Sequence, residues 1–275
     1  MTEADAIRNT QGGPNTIQSI TADLAALGVA PGMTLLVHAT LSRLGWVCGG
    51  PVAVILALET ALGPTGTLVM PTHSGDLSDP AQWENPPVPE TWWAPIRQTM
   101  PAYDLDMTPT RGMGAIPECF RKQRGVVRSG HPQVSFAAWG ARASEIVADH
   151  ALDFAFGEDS PLARIYDLDG WILLLGVTHD NNTSLHLAET RTPYPERKLV
   201  ENGAPVLVDG RRQWVKLRDI DSNTADFETI GAAFARETGL VRSGRVGNAP
   251  ALLMPQRALV DYAGGWMMAN RKAQD

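Results

Sequence analysis

The chain has 275 residues, enough for one large domain or two small ones. With 44% hydrophobic and 19% charged residues it can build a sizeable core, which excludes wholesale disorder, and its 26 glycines and 20 prolines follow no period, which excludes collagen-like and repeat architectures. The 30 acidic and 23 basic residues leave a net charge of −7, a balance that argues against a nucleic-acid partner, which needs clustered Lys and Arg.

Ile17, Ile20, Leu24 and Leu27 recur at helical spacing between Asn15-Thr16, which can cap, and Gly28, which can stop a helix. After the Pro31-Gly32 turn, Met33 to His38 reads as a buried strand, and a loop with Gly45, Gly49 and Gly50 follows. Pro51 fits the first position of a helix over Val52 to Leu62, because a proline there loses no needed donor. Gly63-Pro64 ends that helix and Thr67 to Met70 reads as a strand, so the order is strand–helix–strand, with parallel pairing and a right-handed crossover expected.

Residues 74–112 hold seven prolines and Trp83, Trp92 and Trp93, and an irregular excursion without long regular elements is expected there. It is either a surface segment packed by its aromatics or a substrate-binding lobe. Ser135 to Trp139 and Trp171 to Val177 read as further strands, the second apolar throughout as a central strand covered on both faces would be. Ala204 to Leu217 reads as a hairpin with Asp209-Gly210 in a turn of the primed type. Phe227, Ile230 and Phe234 mark a helix ending at Gly239, and Pro255 opens the last one. The expected fold is a single α/β domain over 1–275: a central mixed, largely parallel sheet flanked by helices, with the 74–112 insertion and a β-hairpin.

Cys48 and Cys119 lie 71 positions apart, which is neither a disulfide framework nor a zinc-ligand spacing, so no metal is expected. Met1 to Asp5 lacks the basic stretch and apolar run of a signal peptide, and the apolar run Trp171 to Val177 is far short of the ~20 residues that span a bilayer. A cytoplasmic protein without membrane contact is expected.

There is no Gly-x-Ser-x-Gly elbow and no Walker A loop, and Pro117 stands where a dinucleotide fingerprint beginning at Gly112 needs its third glycine. One segment stands out, Val177 to Glu189. It follows the most apolar strand, and ligands bind at the carboxyl ends of parallel strands. Asn182, Thr183 or Ser184 can cap a helix on which His186 and Glu189, at i and i+3, share a face. A histidine beside a carboxylate is an acid/base pair. The plain alternative is a capped helix whose His and Glu do no chemistry; metal ligation is a third reading, requiring His38, His73 or His131 to converge. A second segment, His38 to Gly50, offers backbone N–H groups and the helix start at Pro51 to an anion, unless it is a simple glycine-rich connection. In a third, Arg128 and Ser129 suit a phosphate, although a lone Arg is more often just solvated.

Together these segments resemble the aminoglycoside 3-N-acetyltransferase family. The matching stretches are Leu36 to Ser42 with Gly49-Gly50, Gly66 to Pro71, Met100 to Asp104, Thr108 to Gly114, Arg128 to Pro132, Leu173 to Val177 and Asn182 to Glu189, in order over nearly the whole chain. The resemblance implies transfer of an acetyl group from acetyl-coenzyme A to the 3-amino group of a 2-deoxystreptamine ring. By resemblance His186 is the general base. Glu189, Asp219 and Asp221 are candidates to orient it or to bind substrate ammonium groups, with Glu189 and Asp219 placed in the catalytic set. His38, Thr40, Leu41 and Ser42 line the pantetheine and pyrophosphate, Arg128 and Ser129 stand near the phosphates, and Asp76, Asp79 and Asp221 belong to the antibiotic site. Ala39 stands where many relatives carry Ser. The pyrophosphate loop of the other large N-acetyltransferase superfamily, Arg/Gln-x-x-Gly-x-Gly/Ala, is not present, since the nearest runs, from Arg111 and Arg236, end in Ile116 and Val241. The implied partner is an aminoglycoside or other polyamine, with a homodimer left open. Acetylation of another small amine, or idle binding of cationic molecules, remain the alternatives.

Overall fold

The computed structural model describes residues 3–10, 12–195 and 197–271. Helix α1 (Glu3–Asn9) precedes α2 (Ile17–Leu27), where Thr16 and Ser19 exchange side-chain bonds with each other's backbone at the start and Gly28, at φ 106°, forms the end. β1 (Thr34–Ala39), α3 (Gly50–Leu62, with Pro51 in its first turn) and β2 (Thr67–Pro71) make the expected unit, and β1 pairs with β2 in parallel.

The insertion departs from expectation in one respect: Glu90–Thr99 is a regular helix, α4. Its prolines are placed to allow it, since Pro86, Pro87 and Pro89 precede the first turn and Pro101 follows the last, leaving only Pro95 inside. None of its residues is buried. It is tethered by polar contacts instead, Arg97 pairing with Asp79 at 2.6 Å and Arg212 donating to the carbonyls of Arg97 and Met100.

Next come α5 (Ala115–Phe120), β3 (Val127–Arg128), β4 (Phe136–Gly140), α6 (Ala143–Val147), α7 (Pro161–Asp167), β5 (Trp171–Leu175) and α8 (Ser184–Arg191). β6 (Leu199–Val208), β7 (Arg211–Ile220), α9 (Phe227–Thr238), β8 (Arg242–Val246), β9 (Ala249–Pro255) and α10 (Gln256–Asn270) complete the fold. Among the described residues seven strands form one mixed sheet in the order β3-β4-β2-β1-β5-β9-β8. Its centre, β2-β1-β5, is parallel, and both flanks are antiparallel.

Period-two alternation sorts the central strands between two apolar layers. Leu35, Val37, Leu173 and Leu175 face α2 and α3, whereas Leu36, Ile172 and Leu174 face α7, α8, α9 and α10. This double cover explains why β5 is apolar at every position. β6 and β7 form their own two-stranded sheet, and Asp209 (φ 50°) and Gly210 (φ 73°) give the primed turn. No helix among the described residues is long and apolar enough to cross a membrane.

Candidate active site

The adjacent parallel strands β1 and β5 deliver their carboxyl ends side by side, with His38 in register with Leu174 and Ala39 with Leu175. Gly176 turns the chain out of β5 at φ 70°, and a Cβ there would lie 2.8 Å from Cβ of Arg43, so the turns after β1 and β5 pack in direct contact. Asn182 then caps the chain at Ser184 N–H (3.3 Å), while Thr183 does not cap; its hydroxyl lies 3.3 Å from Nε2 of His38.

On α8, Nδ1 of His186 is 2.7 Å from Oε2 of Glu189. Glu189 is fully buried, and its other oxygen accepts from Arg271 Nη1 at 2.6 Å and Asn223 N–H at 3.0 Å. The imidazole stacks on Phe156 (4.9 Å, 11°) and meets Phe227 at 5.0 Å and 62°. Ring and carboxylate are thus fixed together. A carboxylate on Nδ1 requires the proton there and leaves the Nε2 lone pair for substrate.

His186 lines a cavity of about 330 Å³ with His38, His73, Phe156, Asn181 and Thr183. A cleft of about 610 Å³ adjoins it and shares Ala39, Gly112, Met113, Val177 and Asn181. Thr40, Leu41 and Ser42 line this cleft together with Gly50, the first residue of α3. Burial, reinforced by His186, pushes the His38 imidazole down to about 3. Burial likewise holds His73 well below the ordinary range, with His38, His186, His150 and His131 adding to the effect. His73 Nε2 is buried without a hydrogen-bond partner. The cavity therefore keeps its other imidazoles neutral around His186.

The acidic residues divide. Asp219 lines a neighbouring pocket of about 180 Å³ with Gln133 and His131; it accepts from Ala155 and Ile220 N–H groups at 3.2 and 2.8 Å, and burial raises its carboxyl above the usual range. Asp79 is committed to Arg97, and Asp76 to Arg111, so neither carboxylate is free. Asp221 is exposed and lines none of these cavities.

Arg128 and Ser129 are not brought to the cleft. Arg128 is 8% exposed and gives its donors to the carbonyls of Thr72, Leu105 and Thr108 and the hydroxyl of Ser135. Ser129, 1% exposed, is engaged with His150 and the Phe136 amide. Both hold β3 and the insertion onto the sheet, and neither lines the cleft that Thr40, Leu41 and Ser42 line. Arg128→Ala is therefore expected to destabilise the fold by about 2–4 kcal/mol, the cost of orphaning several buried acceptors, and to leave the KM for acetyl-CoA unchanged. Thermal unfolding and initial-rate kinetics check this; a raised KM at wild-type Tm would restore the phosphate role.

Sequence reasoning gave Arg271, Asp226 and Phe156 no part in the site. His73 had a recognisable signal, its place just past the carboxyl end of parallel β2. Arg271 had none, standing 82 positions from Glu189. Among the described residues no three His, Cys, Asp or Glu are grouped to hold a metal ion.

The aminoglycoside 3-N-acetyltransferase family model matches residues 36–268. The chain is 47% identical over 258 residues to the SPbeta prophage-derived aminoglycoside N(3')-acetyltransferase-like protein YokD of Bacillus subtilis (strain 168), covering 94% of each. The crystal structure of YokD matches with a TM-score of 0.95 over 99% of this chain and 100% of that one, at 45% identity. Aminoglycoside N(3)-acetyltransferase VII of Streptomyces paromomycinus is 38% identical over 278 residues, covering 95% of this chain and 94% of that one. Two ligand-bound structures also match: AAC-IIIb in a binary complex with CoASH (TM-score 0.84, 32% identity, 96% and 100% covered) and AAC-VIa bound to sisomicin (0.85, 33%, 95% and 100%). The chain is thus an acyltransferase of mixed-sheet α/β fold. It belongs to the aminoglycoside 3-N-acetyltransferase family.

Proposed function

We propose that the protein transfers the acetyl group of acetyl-coenzyme A to the 3-amino group of the 2-deoxystreptamine ring of an aminoglycoside, directly and with His186 as general base. The observation that carries this is the His186–Glu189 pair at the wall of a cavity that adjoins the Thr40–Ser42 cleft. The CoASH complex of AAC-IIIb and the sisomicin complex of AAC-VIa support the two substrates.

An alkylammonium has no lone pair and cannot attack a thioester. His186 Nε2 takes one ammonium proton, the amine nitrogen bonds to the thioester carbonyl carbon, the carbon–sulfur bond breaks with the electron pair leaving on sulfur, and the second proton shed by the nitrogen ends on that sulfur as the thiol. Glu189 holds the imidazolium formed in transfer. The amides of Leu41 and Ser42 open a 3₁₀ turn and lack acceptors within it, so they are the donors assigned to the developing oxyanion. Thr40 N–H is not one of them, being bonded to the Leu175 carbonyl at 3.0 Å. Cys48 lines neither cavity, which supports transfer without a cysteinyl intermediate.

Incubation with acetyl-coenzyme A and a panel of aminoglycosides and other amines tests the reading. A mass gain of one acetyl group on the deoxystreptamine ring is expected, whereas binding without a mass shift would leave an idle binder. One observation favours a second reading, a less highly charged amine as acceptor: Asp76 and Asp79 are already compensated by arginines. The same panel separates the two.

Of the acidic residues assigned from the sequence to the antibiotic site or the catalytic set, Asp219 is the one that lines a pocket beside the cavity and is held in no ion pair among the described residues, so it is the one offered to a substrate ammonium. Asp219→Asn is expected to raise the KM for the aminoglycoside roughly tenfold, about 1.4 kcal/mol, with acetyl-coenzyme A unaffected. Wild-type affinity for the antibiotic should weaken as salt rises. An unchanged KM would leave Asp219 as an acceptor for the Ala155 and Ile220 amides only.

A further inference from the structure

We infer that Arg271, at the end of α10, and Asp226, at the start of α9, act as positioning residues that set the proton affinity of His186 through Glu189. The inference rests on the general-base reading only for its effect on turnover; its effect on the histidine does not.

Arg271 is buried between two carboxylates. Nε and Nη2 hold Asp226 at 2.8 and 2.7 Å, Nη1 holds Glu189 at 2.6 Å, and Nη2 also reaches the Asn223 carbonyl at 2.7 Å. The guanidinium lies 4.8 Å from the centre of the Tyr194 ring, and the arginine is 7% exposed. Every donor nitrogen of the fork is engaged, so neither the arginine nor Glu189 can swing away without leaving a buried charge unpaired.

The charges give the device its direction. Glu189, Asp226 and Arg271 sum to −1, and a proton on His186 brings the cluster to neutrality. Asp226 takes two of the arginine's hydrogen bonds and Glu189 only one. Glu189 therefore keeps part of its charge uncompensated on the side that faces the ring across their 2.7 Å contact. At low local dielectric such charges act strongly on one another. The other titratable groups around His186 are His38 and His73, kept neutral by burial, Asp180 lining the same cavity, and Asp219 on β7. All four are common to wild type and the variants below, so they cancel in the comparison.

The two substitutions move His186 in opposite directions. In Asp226→Asn the whole guanidinium charge falls on Glu189, the imidazolium is less favoured, and the titration midpoint of His186 drops. In Arg271→Met both carboxylates are uncompensated and the midpoint rises; Arg271→Lys, with the charge but not the fork, lies between Arg271→Met and wild type. Histidine-ring NMR titration of the full chain reads this directly, the His186 resonance being assigned by its loss in His186→Asn. Shifts of about one pH unit of opposite sign are expected, with the kcat–pH limb moving alongside. If Arg271→Met does not fold by circular dichroism, the near-isosteric Asp226→Asn and Arg271→Lys carry the test. A folded Asp226→Asn whose His186 midpoint is unmoved overturns the inference and leaves Arg271 a structural latch. Midpoints that move while the kcat limb stays uphold the inference and refute His186 as the base.

Discussion

Replacing His186 with Asn is expected to lower kcat by ~10²–10⁴ at neutral pH while acetyl-coenzyme A affinity and the fold survive, because one acid/base group is removed and a polar side chain of modest size remains. The wild-type rate should rise with pH as the imidazolium loses its proton and becomes a competent base. That limb should be absent from the variant, whose residual rate should follow deprotonation of the substrate amine itself. His38 is the competitor for the role, at the end of β1 and on the same cavity. Its imidazole is pushed down to about 3 by burial and by His186, so it is already neutral throughout the physiological range and cannot supply an ionisation there. His38→Asn should keep the neutral-pH limb. A profile in which His38→Asn loses that limb and His186→Asn retains it at near-normal turnover would assign the base to His38.

The second large effect is on stability. Burial holds His38 at about 3, His150 at about 3 and His131 at about 4, against an ordinary 6.5, and His73 shifts the same way. A histidine whose folded value is depressed resists a proton that the unfolded chain accepts. Its contribution is complete above the unfolded value and is lost as pH falls below it, at up to about 1.4 kcal/mol per pH unit per group. Three such groups remove on the order of 5 kcal/mol between pH ~6.5 and ~5, comparable with the whole stability of many domains. Asp219 and Glu59, raised by burial, work in the opposite sense but are two groups against five, since burial lowers His179 as well. Denaturant unfolding at a series of pH values should therefore show stability falling steeply below pH ~6.5, well before ordinary carboxylates titrate. A flat profile down to pH ~5 would mean that the histidines accept protons in the folded state.

Much of the architecture was legible because it is written in local chemistry. Thr16 and Gly28 bracket α2, Pro51 opens α3, and Asp209-Gly210 turns the hairpin, each within one or two residues of expectation. The His186–Glu189 pair was legible for the same reason, since three residues along a helix fix a shared face. What spacing could not carry was contact between distant segments. Arg128 looked like a phosphate ligand because a sequence does not show that its donors point inward to Thr72, Leu105 and Thr108. Asp79, placed in the antibiotic site by resemblance, gave no sign of its pairing with Arg97, 18 positions away, which reaches it only when α4 forms, and the helix itself was hidden by the prolines that flank it. Arg271 reaches Glu189 through the packing of α10 against α8, a contact with no periodicity to announce it.

The separate two-stranded sheet has a consequence for how this enzyme can diversify. His38, His186 and the cleft-lining turn after β1 are rooted in the seven-stranded sheet or in the helix that follows its central strand. Gln82, Asn202 and Asp219, on the neighbouring pocket, come from the insertion and from β6–β7. These two outer segments are stitched to each other, Asn202 receiving the Asp79 amide, Pro205 the Tyr103 amide, and Arg212 holding the end of α4, and to the rest of the chain through Arg128 on the insertion side and Asp153 on the hairpin side. On the function proposed above, His186 and the cleft sit on the large sheet and its connections, whereas Asp219, the residue offered to the acceptor, sits on a segment added around it. On that reading, substitutions confined to the hairpin and the insertion can exchange one amine for another while His186 and the cleft keep their place, so acceptor and reaction can change independently.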